Sequence, residues 1–226
     1  MMIVLYFCNA IADIGLKITE IFTSIQGEST FSGLPCTFIR MTGCNLRCKY
    51  CDTPYALEGG EKSSLDQVMN KVRESGISLV ELTGGEPLLQ KECYLLISLL
   101  LKEGYTVLLE TNGSLPLEEV DGRVIKIMDI KCPSSGMSDK MNFSNVDCLD
   151  SKDEVKFVIG NRVDFDWAKE IIDTYRLVEK CKVLISPILS KLDAKELAGW
   201  ILKERMPVRL QLQLHKFIWP DLRQGV

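Results

Sequence analysis

Three cysteines stand close together in residues 44–51, at the spacing C-x3-C-x2-C. Three thiols cannot all pair as disulfides with one another, but three thiolates can bind one iron–sulfur cluster, for which cysteine is the usual ligand. A four-iron cluster held by three protein ligands leaves one iron open to another molecule. The spacing therefore predicts a cluster bound by Cys44, Cys48 and Cys51, with the chemistry at its open iron.

Two simpler interpretations of this segment are a zinc site and three unrelated cysteines. Zinc usually takes four Cys or His ligands, commonly as two separated pairs, and no second pair follows Cys51. The six remaining cysteines lie mostly in apolar or strand-like runs, where free cysteine acts as a small buried hydrophobic residue. They are Cys8, Cys36, Cys93, Cys132, Cys148 and Cys181.

The composition is that of an ordinary globular protein. The chain has 226 residues, of which 46% are hydrophobic and 26% charged, which is typical of one domain with a substantial core. The net charge is −4 with no basic block, so we expect no nucleic-acid partner. The nine cysteines are an odd number with three of them clustered. This favours a reducing cytoplasm over a disulfide scaffold.

The first sixteen residues are apolar and contain no Lys or Arg. They are too short to span a membrane, and Asp13 interrupts the apolar run that a signal peptide needs. We therefore expect no membrane association. We treat residues 1–16 as an N-terminal extension of uncertain role, either an added strand or an upstream start, and residues 17–226 as a single domain.

The rest of the chain alternates between strand and helix patterns. Ser64 and Gln67 form a capping box at the start of the first helix, and Gly76 ends it. Alternating strands and helices imply crossover connections and a parallel sheet. The predicted strands are 17–24, 36–41, 77–82, 105–110, 124–130, 154–159, 182–186 and 208–214, and the predicted helices are 63–75, 88–103, 164–180 and 193–204.

Polar and glycine residues follow the ends of several predicted strands. In parallel α/β folds, ligands collect at the carboxyl ends of the strands. We therefore expect a single mouth lined from several strands. The residues at these ends are Thr83–Glu86, Glu110–Asn112, Asp129–Lys131 and Ser186–Pro187.

The cysteine spacing, with Tyr50 just before the last cysteine, resembles the cluster motif of the radical S-adenosylmethionine (SAM) enzymes. The resemblance implies a [4Fe-4S] cluster whose open iron binds SAM, and reductive cleavage of SAM to a 5′-deoxyadenosyl radical. It also implies that the Gly84-Gly85-Glu86 segment holds the methionyl amine, with Glu86 accepting from the ammonium group.

Further segments narrow the resemblance. Residues 20–28, 43–53, 83–90 and 215–219, with the Glu-Thr-Asn-Gly run at 110–113, together resemble the 7-carboxy-7-deazaguanine synthase family. The resemblance implies an α/β fold, a partial (trimmed) TIM-like barrel of parallel strands with a radical SAM core. It also implies a carbon–nitrogen lyase that converts 6-carboxy-5,6,7,8-tetrahydropterin to 7-carboxy-7-deazaguanine with loss of ammonia, in queuosine and 7-deazapurine biosynthesis. Mg2+, a flavodoxin-like electron donor and a homodimer are further implications.

The same resemblance implies roles for individual residues, none of them a protein radical or nucleophile. Thr53 would bind Mg2+, and Arg40 would bind the substrate carboxylate. The implied SAM-binding residues are Tyr50, Asp52, Gly85, Asp129, Ile130, Lys131, Ser134 and Ser186. The implied substrate-binding residues are Ile25, Gln26, Gly27, Glu28, Arg40, Thr83, Glu110, His215 and Pro220.

Some positions depart from the family pattern. Ser29 and Thr30 stand where Gly-Pro-like residues are usual, and Asp129-Ile130-Lys131 stands where many relatives have Ser-Pro-Lys. Two alternatives stay open at this point. A glycyl-radical-enzyme activase would share the cluster chemistry but act on a protein, without needing Thr53. A non-catalytic zinc or iron–sulfur binding module would need only the cysteines.

Overall fold

The computed structural model describes residues 15–222 and 224–226. Most of the predicted N-terminal extension therefore lies outside the described residues, although Gly15 and Leu16 already belong to the first strand. No helix in the described part of the chain is long and apolar enough to cross a bilayer.

Nine strands form one sheet in the order β3-β1-β2-β4-β5-β6-β7-β8-β9. β1 is antiparallel to both of its neighbours, and the strands from β2 through β9 are parallel to one another. The predicted parallel sheet is therefore confirmed. The strands are β1 (Gly15–Ile25), β2 (Pro35–Met41), β3 (Glu61–Ser64), β4 (Leu79–Gly84), β5 (Thr106–Thr111), β6 (Ile125–Ile130), β7 (Glu154–Ile159), β8 (Lys182–Pro187) and β9 (Arg209–Leu210).

The longer helices follow β3, β4, β7 and β8, as crossover connections require. The predicted start of α1 is confirmed, because Ser64 and Gln67 form a reciprocal capping box and Gly76 closes the helix in the left-handed region. The helices are α1 (Leu65–Ser75), α2 (Glu92–Lys102), α3 (Arg162–Thr174), α4 (Leu177–Lys180), α5 (Ala194–Glu204) and α6 (His215–Ile218).

Two element predictions were wrong, and one strand was missed. The helix expected over 164–180 is broken at Arg176, whose φ of +51° belongs to the left-handed region and separates α3 from α4. The last strand comprises only Arg209–Leu210, and His215 begins a short helix rather than ending a strand. The edge strand Glu61–Ser64 was missed, because its four polar or charged residues show no apolar alternation.

The two faces of the sheet have different partners. On β7, Val155, Phe157 and Ile159 belong to the large core on the helix side of the sheet, whereas Glu154 and Lys156 alternate with them and point to the other face. We call that other face the inner face. A second, smaller apolar cluster forms its floor, made of Cys36, Phe38, Leu79, Leu108 and Ile127.

The loop after β1 crosses the inner face and joins distant strands. The backbone N–H of Thr30 donates to the Glu154 carboxylate on β7 at 3.0 and 3.1 Å. The side-chain amide of Gln211, just after β9, donates to the Ser29 carbonyl at 2.8 Å. A flat sheet could not bring these strands together, so the sheet is curled, as the predicted partial barrel requires.

Candidate active site

The three cysteines lie on the loop between β2 and the turn that begins at Pro54. Backbone hydrogen bonds fix this loop to its surroundings. Glu86 N–H donates to the Gly43 carbonyl at 2.7 Å, and Lys49 N–H donates to the Ser135 carbonyl at 3.0 Å. The guanidinium of Arg47 also donates to the Cys44 carbonyl at 2.7 Å. The loop is therefore held by the ends of β4 and β6.

The thiols of this loop are suited to binding a cluster. All three are free, and Cys51 is exposed. The Cys44 sulfur accepts from Leu46 N–H at 3.4 Å and lies 3.7 Å from the Asn112 amide nitrogen. No three His, Cys, Asp or Glu side chains of the described residues surround a single-ion site. An iron–sulfur cluster does not require that, because each thiolate binds a different iron.

The two glycines after β4 allow a close approach of backbone to backbone. A Cβ on Gly84 would lie 2.2 Å from the Met41 carbonyl oxygen, and one on Gly85 would lie 1.9 Å from the Gly43 carbonyl oxygen. Gly84 thus lies against the end of β2, and Gly85 lies against the backbone that leads into the cysteine loop. The predicted role of this segment in holding the methionyl amine stays a prediction.

Glu86 binds protein groups around it, and its expected contact with the amine of SAM stays a prediction. Its carboxylate is fully buried and accepts from Leu88 N–H at 3.1 Å, Thr111 Oγ1 at 2.9 Å and Asn112 N–H at 2.7 Å. Burial raises the pKa of this carboxyl to about 6, although the hydrogen bonds oppose the rise. Glu86 therefore ties the end of β4 to the end of β5.

Two of the predicted SAM-binding residues, Asp129 and Lys131, form an ion pair whose charges act on Cys48. Asp129 accepts from the Lys131 ammonium at 2.7 Å, and its other oxygen, Oδ1, is buried without a hydrogen-bond partner among the described residues. A buried acceptor of this kind is costly unless something donates to it. It fits a ligand with a hydroxyl or amine donor, which SAM has.

Other predicted SAM residues are already engaged with protein groups. The Ser134 N–H donates to the Asp164 carboxylate at 2.8 Å, and its hydroxyl binds the same carboxylate. The Ser186 hydroxyl donates to the Gln211 carbonyl at 2.9 Å. The Ile130 side chain packs in the helix-side core, so only its backbone faces the mouth of the sheet. Tyr50 lies near β7, with its hydroxyl 3.4 Å from the Val158 carbonyl.

Several predicted substrate residues meet on the inner face, together with two residues that the sequence analysis missed. The Glu110 carboxylate accepts from Thr83 Oγ1 at 3.0 Å, and the buried Gln26 side chain donates to Glu81. Lys156, whose ammonium donates to Glu110, and Glu81 were not predicted as site residues. We name the charged set the inner polar cluster: Glu28, Glu81, Glu110, Asp129 and Lys156.

Strand register is the signal that would have identified Lys156. Asp129 on β6 is its paired position on the neighbouring strand, so the two side chains leave the same face of the sheet. Likewise Arg40 on β2 is paired with Thr83 on β4. A lysine in a strand is usually taken to be solvated, but this one has a side chain only 5% exposed.

Arg40 and His215 border the inner polar cluster. The Arg40 guanidinium donates to Glu20 at 2.7 Å, and its central carbon lies 5.6 and 5.9 Å from the ring centres of Phe22 and Tyr55. His215 contacts Gly27 so closely that a Cβ there would lie 2.2 Å from its Nδ1. Burial lowers the pKa of His215, although Glu28 opposes this.

The remaining predicted residues lie at the edges of this region. Ile25 ends β1 and pairs with Pro35. Asp52 is exposed and lies 3.4 Å from the Lys216 ammonium. Pro220 is exposed in the segment after α6, and its role stays a prediction.

Comparison with known proteins gives three kinds of match. Residues 38–189 match the family model of the radical SAM superfamily. The chain is 46% identical to the 7-carboxy-7-deazaguanine synthase of Chlorobaculum tepidum over 92% of this chain and 96% of that protein. It is 43% identical to the synthase of the same name from Koribacter versatilis over 93% of this chain and 100% of that protein.

Solved structures show the same fold. The crystal structure of QueE from Escherichia coli matches with a TM-score of 0.75 at 23% identity and covers 93% of this chain and 98% of that one. SuiB from Streptococcus suis, solved with its precursor peptide SuiA, matches with a TM-score of 0.57 at 11% identity, over 76% of this chain and 47% of that one. At these identities the likeness concerns the fold.

Proposed function

This chain belongs to the radical SAM superfamily and, within it, to the family of 7-carboxy-7-deazaguanine synthases, and we propose that it converts 6-carboxy-5,6,7,8-tetrahydropterin to 7-carboxy-7-deazaguanine with loss of ammonia. The observation that supports this most directly is the inner polar cluster beside the three-cysteine loop. Its carboxylates would accept from the N–H donors of a pterin bound at the inner face. The family membership argues against the activase and against a zinc-binding module.

A pterin needs acceptors for its ring N–H and amino donors, and a cation for its carboxylate. Glu28 and Glu110 are carboxylates that accept only, and each oxygen retains a free lone pair. The guanidinium of Arg40 uses one of its five N–H donors on Glu20, which leaves others for a bidentate contact with a carboxylate. The three side chains therefore supply complementary groups for both ends of the substrate.

Bound [4Fe-4S] cluster and SAM would supply the 5′-deoxyadenosyl radical that abstracts hydrogen from C6 of the substrate. Cys44, Cys48 and Cys51 would hold the cluster. The free Oδ1 of Asp129 would accept from SAM, and the Lys131 ammonium keeps the other oxygen of that carboxylate fixed at 2.7 Å. Gly85 would keep the end of β4 against the cysteine loop, where side chains would otherwise separate them.

A magnesium ion would bind at Thr53. Mg2+ takes oxygen ligands and keeps several waters. The only polar neighbour of the Thr53 hydroxyl among the described residues is the Cys51 sulfur, 3.9 Å away. The hydroxyl is thus available as an oxygen ligand, and a Mg2+ ion held there would supply positive charge for the substrate carboxylate. We further propose an external electron donor of the flavodoxin type, a homodimer, and a cytoplasmic location in which the free thiols stay reduced.

The test is anaerobic turnover. Protein reconstituted with iron and sulfide is incubated with SAM, a reductant, Mg2+ and the tetrahydropterin, and the product is identified by mass spectrometry. We expect 7-carboxy-7-deazaguanine and ammonia. Cleavage of SAM without a deazaguanine product would reject the substrate while keeping the radical chemistry, and a colourless protein containing zinc would reject both.

A further inference from the structure

Lys156 is a buried ammonium group in contact with three carboxylates from three other parts of the chain. Its Nζ lies 2.6 Å from Glu28 on the loop after β1, 2.5 Å from Glu110 on β5 and 3.6 Å from Asp129 on β6. An ammonium group taken out of water this completely needs such partners.

Neither Glu28 nor Glu110 has another cation in contact among the described residues. The second oxygen of Glu28 accepts from the Gln213 side-chain amide at 2.7 Å, and the second oxygen of Glu110 accepts from the Thr83 hydroxyl at 3.0 Å. Lys156 is therefore the charged group that fixes both carboxylates in one arrangement.

We propose that Lys156 is a positioning residue, which holds Glu28 and Glu110 ionised and oriented as paired acceptors for the N–H donors of the substrate. This inference rests on the proposed function. The ammonium holds one oxygen of each carboxylate, and Gln213 and Thr83 hold the other oxygens, so both groups are fixed in orientation. The substrate then meets acceptors that need no reorganisation, which lowers the cost of binding.

The pKa of Glu110 supports this role. Burial alone would raise it, but the charge and the hydrogen bond of Lys156, together with the Thr83 hydroxyl and the Lys131 charge, lower it overall. Glu81, which has no such contact with Lys156, has a pKa well above its usual range because of burial and the neighbouring Glu110 charge. The charged or titratable groups around Glu110 are Glu28, Arg40, Glu81, Asp129, Lys131, Lys156 and His215.

The experiment compares Lys156→Met and Lys156→Arg with wild type in anaerobic turnover of 6-carboxy-5,6,7,8-tetrahydropterin. Loss of a hydrogen bond to a charged group predicts a rise in KM of roughly 10- to 100-fold for the methionine variant, with a smaller change in kcat. Because the pKa of Glu110 then rises, the acid limb of kcat/KM shifts to higher pH. The arginine variant, which keeps the charge, retains most of the wild-type KM.

Lys126→Met is the matched control. Lys126 is also a buried lysine in an ion pair, 2.9 Å from Asp153, but it shares the helix-side face of β6 with Met128 and Ile130. Its loss lowers stability without moving KM or the pH profile. A folded Lys156→Met with wild-type KM and acid limb would overturn the proposal, as would an equal shift in Lys126→Met.

A second measurement needs no turnover. Wild-type protein labelled with 13C at the glutamate carboxyls is titrated by NMR, and Glu110→Gln assigns the resonance. We expect Glu110 to protonate below the ordinary glutamate pKa. Protonation above it would overturn the proposal even if the enzyme proves active. Conversely, a wild type that makes no deazaguanine but has a low Glu110 pKa rejects the substrate and leaves the role of Lys156 in ionisation intact.

Discussion

Glu81 and Glu110 are carboxyl groups on neighbouring strands of the inner face, yet their surroundings push their pKa values in opposite directions. Lys156 lowers the pKa of Glu110 against the effect of burial. Burial and the Glu110 charge raise that of Glu81, and only its hydrogen bond from Gln26 and the more distant Lys156 oppose the rise. Glu81 can therefore carry a proton while Glu110 stays ionised. Many active sites contain pairs of acids whose pKa values are separated in this way.

We predict that Glu81→Gln changes how stability depends on pH. A carboxyl whose pKa is raised by folding binds more protons in the folded state than in the unfolded one, so wild-type stability falls as the pH rises above the unfolded value. The glutamine variant lacks this dependence. Its free energy of unfolding should therefore rise relative to that of wild type between about pH 4.3, the ordinary glutamate pKa, and the raised pKa of Glu81 in the folded protein.

Urea unfolding of both proteins at several pH values measures the difference. Glu103→Gln is the control. Glu103 is exposed and pairs with Arg73, and this pairing lowers the pKa of Glu103. A parallel pH dependence of wild type and Glu81→Gln would mean that Glu81 is ionised in the folded protein.

At the scale of elements, Asp164 is a link between α3 and the loop after β6. It is fully buried and accepts from the backbone N–H of Ser134 and of Gly160, each at 2.8 Å. We predict that Asp164→Ala lowers the free energy of unfolding by about 2–4 kcal/mol, because buried donors lose their acceptor. It should also weaken SAM binding, since Ser134 is then free to move.

Urea unfolding and titration calorimetry of SAM with the reconstituted protein measure these two effects. Asp166→Ala provides the comparison on the same helix, because Asp166 is exposed and paired with Arg162. Its loss should cost less than about 0.5 kcal/mol. Equal effects of the two substitutions would show that Asp164 has no special role.

Gly85 is the point where β4 meets the cysteine loop. A Cβ at 1.9 Å from the Gly43 carbonyl must displace the backbone just before Cys44, so Gly85→Ala should reduce the iron and sulfide that reconstitution incorporates. Visible absorption and iron analysis measure this. Gly122→Ala is the control, since a Cβ there meets nothing within 4 Å, and full cluster content in Gly85→Ala would contradict the close approach.

Most of the strands could be predicted because their apolar residues alternate or form short buried runs. The edge strand β3 could not, because Glu61-Lys62-Ser63-Ser64 has no apolar face. The helix break at Arg176 could not be predicted, because no glycine marks it and a non-glycine residue adopts the left-handed conformation there. The end of the chain after β9 was misassigned, because His215 begins a helical turn that lacks a capping residue before it.

Only part of the site could be predicted from the sequence. Motifs identify the cysteines and the residues at strand ends, but they do not show which side chains contact one another. Glu86 illustrates this, because its partners Thr111 and Asn112 are brought to it only by the pairing of β4 with β5. Lys156 was missed because its inward direction depends on the register of β7 with β6.

At the scale of the whole molecule, the loop of residues 26–34 joins the antiparallel edge of the sheet to its far strands. Thr30 binds Glu154 on β7 through its N–H and its hydroxyl, and the Ser29 carbonyl accepts from Gln211 after β9. The same loop contains Gln26 and Glu28. The curl of the sheet and the placement of two predicted substrate residues therefore depend on the same contacts.

We predict that Glu154→Ala loosens this loop and, with it, the substrate site. The Thr30 N–H and hydroxyl lose their acceptor, so the free energy of unfolding should fall by about 2–4 kcal/mol, and KM for the tetrahydropterin should rise more than kcat falls. Hydrogen exchange should show faster exchange of amides in residues 26–34, including that of Gln26, which donates to the Leu34 carbonyl at 2.8 Å.

Glu170→Ala, on the exposed side of α3, is the control. Unchanged exchange in residues 26–34 of Glu154→Ala would mean that the loop holds its shape without β7, and the curl of the sheet would then need another cause.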